Sequence, residues 1–263
     1  MKHLFYYIVF LSFSICQSQN SKIKVTKLDF IAFKADSFVG LDGFRNCYYI
    51  KDNVFFKKAD TLSLQYQNLS LGKLTKVDIT NPLKIILFYE EFNSVVVLDN
   101  QLNEIQKIEF SKLETPIVAS AIGISAQNQL WVYNSLNQQI GLYDLNSNTY
   151  KNLGVPIKET FSYYQTDFNY FHWIDSKNQW LITTIFGRII NNGLLEINEN
   201  LQFLDLSEIL FLKDKKLFIR DRNGNKLYEI EIVEKSLKNF YYKDQILSIF
   251  TDHGITNYKI IIP

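Results

Sequence analysis

The chain of 263 residues holds two cysteines, Cys16 and Cys47. Cys16 falls in an apolar opening that reads as a leader. Cys47 is then alone, and no intrachain disulfide can form. Histidine is as scarce. With His3 in the leader, only His172 and His253 remain, and a zinc site built on them would need carboxylates to complete it. A dominant charge is also missing. Once Lys2 leaves with the leader, 27 basic residues balance 27 acidic ones. Without a basic block, nucleic acid and anionic membrane are poor candidates for the main partner. No later stretch approaches about 20 uninterrupted apolar residues, so no membrane span is expected in the mature chain. What is plentiful is aromatic surface. The 21 Phe and 16 Tyr favour strands and must supply stability by burial.

The opening MKHLFYYIVFLSFSICQSQN joins a positive Lys2 to an apolar run from Leu4 to Ile15. That run is too short to cross a bilayer as a helix and suits a signal peptide. Cys16 and Ser18 put small residues where a signal peptidase reads. Cleavage near Ser18-Gln19 is expected, leaving residues 19–263 as one domain. Acylation of Cys16 would instead anchor the chain to lipid, but Ile15 just before it suits that chemistry poorly. The expected location is periplasmic or secreted.

After a polar, basic arm over residues 19–27, short apolar strands alternate with polar turns. Residues 129–148 show the unit: LWVY, the turn NSLNQQ, IGLYD, then a second turn. Lys-Asp turns recur at Lys51-Asp52, Lys213-Asp214 and Lys243-Asp244. An acidic residue closes a strand before an Asn-bearing turn at Asp99, Asp144, Glu196 and Asp221. Asn and Asp suit such turns because they tolerate left-handed backbone and bond their own main chain. Units of roughly 40 residues with four strands each imply propeller blades. LWVY and IILFY (residues 85–89) are apolar on both faces, as stacked blades require. The expected fold is an all-β propeller of about six four-stranded antiparallel blades. Five or seven remain open, because residues 34–45 and 233–239 are ambiguous. KLDFIAF (residues 27–33) would close the ring as the outer strand of the last blade, which otherwise ends one strand short. Residues 201–206 are read as the end of the fourth unit. Residues 159–165 show no helical period and read as a long loop.

Asn128, Gln129, Leu130, Trp131, Val132, Tyr133, Asn134 and Ser135, with Asn137, Ile140, Tyr143 and Asp144, resemble the NHL repeat. That pattern runs roughly glycine-x-leucine-tyrosine-valine-x-aspartate-serine-x-asparagine, then arginine-isoleucine and an aromatic-aspartate close. Asn128 stands for the glycine, Asn134 for the aspartate and Gln139 for the arginine. The likeness implies a six-bladed propeller. It implies little about ligand, because the family spans protein binders, RNA binders and some zinc lyases. The marks of WD40 and kelch repeats are absent.

Residues 161–173 (FSYYQTDFNYFHW) are the richest segment. Tyr163 and Tyr164, placed in the loop, would form an aromatic lip with Trp173 over the ring, suited to a peptide or sugar. Strand alternation sets Phe168, Tyr170 and His172 on one face, and Asn169, Phe171 and Trp173 on the other. Packing between blades is the competing explanation for these strand residues. Arg188, at a hairpin tip, would grip a carboxylate or stand as a solvated charge. Asp144-x-Asn146-x-Asn148 and Asp221-x-Asn223-x-Asn225 echo a calcium loop. Thr149 and Lys226 replace its glycine, and Val155 and Ile232 its closing carboxylate, so turn chemistry explains both.

No catalytic, metal or cofactor set is assigned. The expected function is a non-enzymatic binding or scaffold module for an envelope or secreted protein or peptide, with Tyr163, Tyr164, Tyr170, His172, Trp173 and Arg188 as binding candidates. The alternative is a metal-assisted lyase or hydrolase on the ring axis that uses His172 with acidic residues.

Overall fold

The computed structural model describes residues 21–59, 62–195, 200–234 and 236–263. The leader, with Cys16, and the turn acid Glu196 lie outside them. Six sheets form six blades of a β-propeller. Blade I is β3 (Ser37–Leu41), β4 (Cys47–Lys51), β5 (Val54–Lys58) and β6 (Ser63–Tyr66). Blade II is β7 (Lys76–Asp78), β8 (Ile85–Tyr89), β9 (Ser94–Leu98) and β10 (Glu104–Glu109). Blade III is β11 (Ala119–Ile124), β12 (Gln129–Asn134), β13 (Gln139–Asp144) and β14 (Thr149–Asn152). Blade IV is β15 (Phe161–Thr166), β16 (Tyr170–Asp175), β17 (Gln179–Thr184) and β18 (Ile189–Leu194). Blade V is β19 (Leu201–Phe203), β20 (Glu208–Lys213), β21 (Lys216–Asp221) and β22 (Lys226–Glu231). Blade VI is β23 (Asn239–Lys243), β24 (Ile246–Thr251) and β25 (Gly254–Lys259), completed by β2 (Thr26–Ala32). Helix among the described residues is limited to two three-residue 3-10 turns, Leu69–Leu71 and Phe110–Lys112. No helix there is long and apolar enough to cross a membrane.

The two-sided strands do what their composition demands. All five residues of β8 are buried. Ile85, Leu87 and Tyr89 point to blade I, whereas Ile86 and Phe88 point to blade III. β9 divides the same way, with Val96 and Leu98 on one side and Val95 and Val97 on the other. A strand alternates its side chains, so only a sheet covered on both faces can bury a continuous apolar run. Each space between neighbouring blades holds one apolar cluster, such as Trp131 with Phe171 and Trp173 between III and IV, or Trp180 with Phe203 and Phe211 between IV and V. Cys47 sits in the cluster between VI and I, and burial pushes its thiol up to about 12.

The ring closes as expected, with one addition. β2 pairs antiparallel with β25, from Thr26 opposite Lys259 to Ala32 opposite Gly254. Gly254, at φ +139°, is required by this approach, because a Cβ there would stand 2.1 Å from the Ile31 carbonyl oxygen. The preceding residues are not a loose arm. β1 (Ser21–Lys24) lies parallel to β22 as a fifth strand on blade V, with Ile23 buried between blades V and VI. One short segment therefore straps two blades. Its lysines gave it a loop-like composition, but alternation lets Lys22 and Lys24 stay exposed while Ile23 is buried.

Three other boundaries differ from the sequence reading. Residues 161–166 are β15, the innermost strand of blade IV, and not loop; both its faces are crowded by other blades, so no simple period shows. Leu201–Phe203 opens blade V instead of ending the fourth unit. Phe168 lies in the turn before β16. The turn chemistry itself is as expected. Asp52 and Asn53, Asp214 and Lys215, and Asp244 and Gln245 all have φ from 50° to 64°, as two-residue hairpin turns require. The first two pairs join second to third strands, and the last joins first to second. The turn specifies a hairpin and not a place in the blade.

Asp99, Asp144 and Asp221 each close a third strand and accept main-chain N–H groups of the turn that follows. Hydrogen bonds, first from the Asn103 side chain and from the Ser147 N–H respectively, hold Asp99 and Asp144 below the usual carboxylate range. Their oxygens serve the turn, which accounts for the calcium-like spacing.

Candidate functional site

The innermost strand of a blade borders the axis with one edge unpaired. Side chains must satisfy those edge groups or leave them to solvent. Here amides do much of it. The Gln165 Nε2 donates to the Phe203 carbonyl (2.8 Å), and the Phe203 N–H donates back to Gln165 Oε1 (2.9 Å). Gln202 repeats the double bond with Tyr242 one blade on, at 2.8 Å each way. Asn239 donates to the Phe38 carbonyl at 3.4 Å, linking blades VI and I.

Around these strands lies an axial channel of about 800 Å³. It is lined by β3, β7, β15, β19 and β23. Ile50, Ile174, Asn178 and Asn200 carry the lining to the end where the inner strands begin. At the other end the walls converge. The Asp78 Oδ2 accepts the Ile124 N–H (2.7 Å) and the Thr166 hydroxyl (3.3 Å), while Oδ1 accepts the Thr80 N–H (2.8 Å). One carboxylate thus draws blades II, III and IV together at this end, the floor end of the channel. β11 is absent from the lining because β7 and β15 meet in front of it. That meeting needs Gly123, where a Cβ would fall 1.8 Å from Thr166 Oγ1.

Two residues nearer the mouth, on the same face of β7, stands Lys76. Its ammonium donates to the Tyr164 carbonyl (3.0 Å) and lies 3.5 Å from the Tyr164 ring centroid. Desolvation lowers it from the ordinary 10.5 to about 8, against an opposing pull from Asp78. The folded chain therefore binds fewer protons than the unfolded one between those values. The charged amine weighs against folding below about pH 8, and the penalty fades as pH rises toward 10.5. Lys76→Met is expected to stabilise the protein by about 1–2 kcal/mol at pH 7, after allowing for the lost contacts with Tyr164. Urea melts at pH 7 and pH 10 should show that advantage shrinking. An advantage constant with pH would refute the assignment.

The candidates drawn from sequence separate. Tyr163 lines the channel, packs on Phe203 at 5.7 Å and donates to Gln165 Oε1 at 3.2 Å. Tyr164 turns the other way, stacks on Phe171 at 5.6 Å and accepts the Ile122 N–H at 3.2 Å. Burial raises both phenols. Trp173 is 1% exposed between blades III and IV. Since Tyr164 and Trp173 are packed between blades III and IV while Tyr163 faces blade V, the three rings do not make one lip, and neither tyrosine is on a loop. Tyr170 and His172 face blade V, with the His172 ring 5.0 Å from Phe203 and its Nδ1 accepting from Trp180 Nε1 at 3.4 Å. His172 lies on a second strand and not at the axis, where the metal-assisted alternative placed it. Arg188 is exposed on the turn between β17 and β18. Third-to-fourth strand turns share the end of the ring with first-to-second turns, so Arg188 is at the floor end, opposite the mouth.

Lys76, Asp78, Gln165, Gln202 and Asn239 were not singled out by sequence. A signal for them exists. In KVD and LQF the strand that opens a unit mixes polar and apolar residues, whereas the second and third strands of blade II, IILFY and SVVVL, are almost wholly apolar.

No family model matches the chain, and no curated protein matches it. Solved structures do. Virginiamycin B lyase from Staphylococcus aureus aligns over 94% of this chain and 97% of its own, at TM-score 0.58 and 11% identity. BamB from Moraxella catarrhalis aligns over 89% and 99%, at 0.52 and 12%. YCF48, solved bound to D1 peptide, aligns over 89% and 81%, at 0.51 and 11%. At such identities the likeness shows a shared propeller fold alone.

Proposed function

We propose that this protein is an exported, non-enzymatic propeller that receives an extended segment of an envelope or secreted protein in its axial channel. The observation that carries this reading is the channel itself: about 800 Å³, with amides, hydroxyls and the Lys76 ammonium set among apolar side chains such as Phe38, Ile174 and Phe240. Its size is that of ligand sites, and its lining suits a ligand with its own hydrogen bonds to satisfy. Gln165 and Gln202 each spend one N–H and one acceptor site on the neighbouring blade. A second N–H remains on each, and Gln202 keeps a second lone pair, whereas that of Gln165 takes the Tyr163 hydroxyl; Gln202 thus offers the donor and acceptor that a peptide unit would use. Tyr163 contributes an aromatic wall. That YCF48 was solved with a peptide supports the use of this fold for such a task. The NHL-like unit is blade III, and under this reading it is framework for the site.

Filling the channel tests the proposal. Ser37 and Ser162 line it and are exposed, so Ser37→Trp and Ser162→Trp should block entry with little effect on the melt. Partners cross-linked by the wild-type protein in its native envelope should be lost from both variants and kept by Arg188→Ala. Undiminished capture by the filled variants would remove the channel as the site. Export rests on the leader-like opening. A mature chain beginning at Gln19 by mass spectrometry would support it, an acylated Cys16 would favour the anchored form, and an uncleaved cytoplasmic chain would refute it.

A further inference from the structure

We infer that the channel's ligand presents a single carboxylate to Lys76. The inference rests on the docking role proposed above and specifies the chemistry of what docks. Among the described residues, Lys76 forms no ion pair with any carboxylate. Its nearest acid along β7, Asp78, already receives two main-chain N–H groups and the Thr166 hydroxyl. Of the three ammonium donors, one goes to the Tyr164 carbonyl and the Tyr164 ring takes one side of the group, which leaves a donor for the channel that Lys76 lines. The Tyr164 ring below offers its negative face to the charge, which fixes the ammonium without neutralising it. A cation held in a confined space with a spare donor is a receptor for an anion from outside. The charge count limits that anion. One ammonium matches one negative charge, and the Asp78 carboxylate on the same face of the strand repels a second. A carboxylate is therefore favoured over a phosphate dianion.

The groups facing Lys76 are Asp78 on its own strand and Tyr164 on β15. Asp78, Glu90 and Tyr163 act in turn on Tyr164. A carboxylate arriving here would favour the charged amine, so its binding would take up a proton and weaken as pH rises above about 8.

The carboxylate has two possible sources, a small organic acid or the end of a peptide chain. The probes are a fluorescein-labelled random pentapeptide pool made as free acid and as C-terminal amide, with butyrate and inorganic phosphate. Binding is read by polarisation, and the lysine ¹³Cε resonance of Lys76, identified by its loss in Lys76→Arg, is followed through pH. The free-acid pool should bind about tenfold more tightly than the amide pool. It should also move the Lys76 titration upward. Lys76→Met should abolish the difference and Lys76→Arg retain it. If acid and amide pools bind alike, the carboxylate inference falls and the docking role stands. If butyrate shifts Lys76 while neither pool binds, the carboxylate site stands and the peptide reading falls. Phosphate binding more tightly than butyrate, or no response to any probe, overturns the inference.

Discussion

A chain lacking residues 21–34 should lose native melting behaviour, with a midpoint about 10–20 °C below that of the intact ring. The segment contributes the outer strand of blade VI through β2 and the fifth strand of blade V through β1. Most β2 side chains are exposed, so the loss is mainly one of ladder hydrogen bonds, at about 0.5–1.5 kcal/mol net for each. Ile23, 5% exposed, adds one buried side chain between blades V and VI. Together these approach about 5 kcal/mol or more, a large share of the 5–15 kcal/mol that holds an ordinary domain together. A synthetic peptide of residues 21–34 added to the shortened chain should restore part of the midpoint, rising with the logarithm of its concentration. The shortened chain melting within about 2 °C of the intact one would show that the ring does not depend on this strap.

Gly123→Ala should lower stability by about 3 kcal/mol, the upper part of the range for overpacking. The new methyl would meet Thr166 Oγ1 at 1.8 Å, Thr166 Cβ at 2.8 Å and Asp78 Oδ2 at 3.0 Å. Neither neighbour can retreat freely, because Thr166 is buried on β15 and Asp78 is tied to Ile124 and Thr80. The damage should therefore spread to the channel floor. Two second-site changes separate this from a mere preference of the strand for glycine. Thr166→Ala removes the closest atom and should recover part of the loss. Thr166→Gly removes the second as well and should recover more, so the paired changes depart from additivity. Denaturant melts of six chains suffice: the parent, the three single variants and the two doubles. An unchanged melt for Gly123→Ala would mean that the blades stand further apart than described.

The parts of the fold legible in sequence are those where one local rule is decisive. Ile85 to Tyr89 could be buried only between two sheets, and it is. The Asp52-Asn53 hairpin follows from side chains that accept left-handed backbone. Even the closing strand could be read, because the last blade was one strand short. The site was harder for a physical reason. Gln165 bonds Phe203, 38 residues away, and Lys76 bonds Tyr164, 88 residues away. Such partners leave no local period. Tyr163 and Tyr164 look like a pair in sequence, yet neighbouring residues on a strand face opposite sides, and here those sides belong to blades V and III. Arg188 and Tyr163 are close along the chain but belong to opposite ends of the ring, because each strand carries the chain from one end to the other.

The knot of Asp78, Ile124 and Thr166 sets how load passes between three blades. Because one carboxylate holds two neighbours at once, its loss would loosen both seams together. A change at this single side chain would therefore be felt in blades II, III and IV alike.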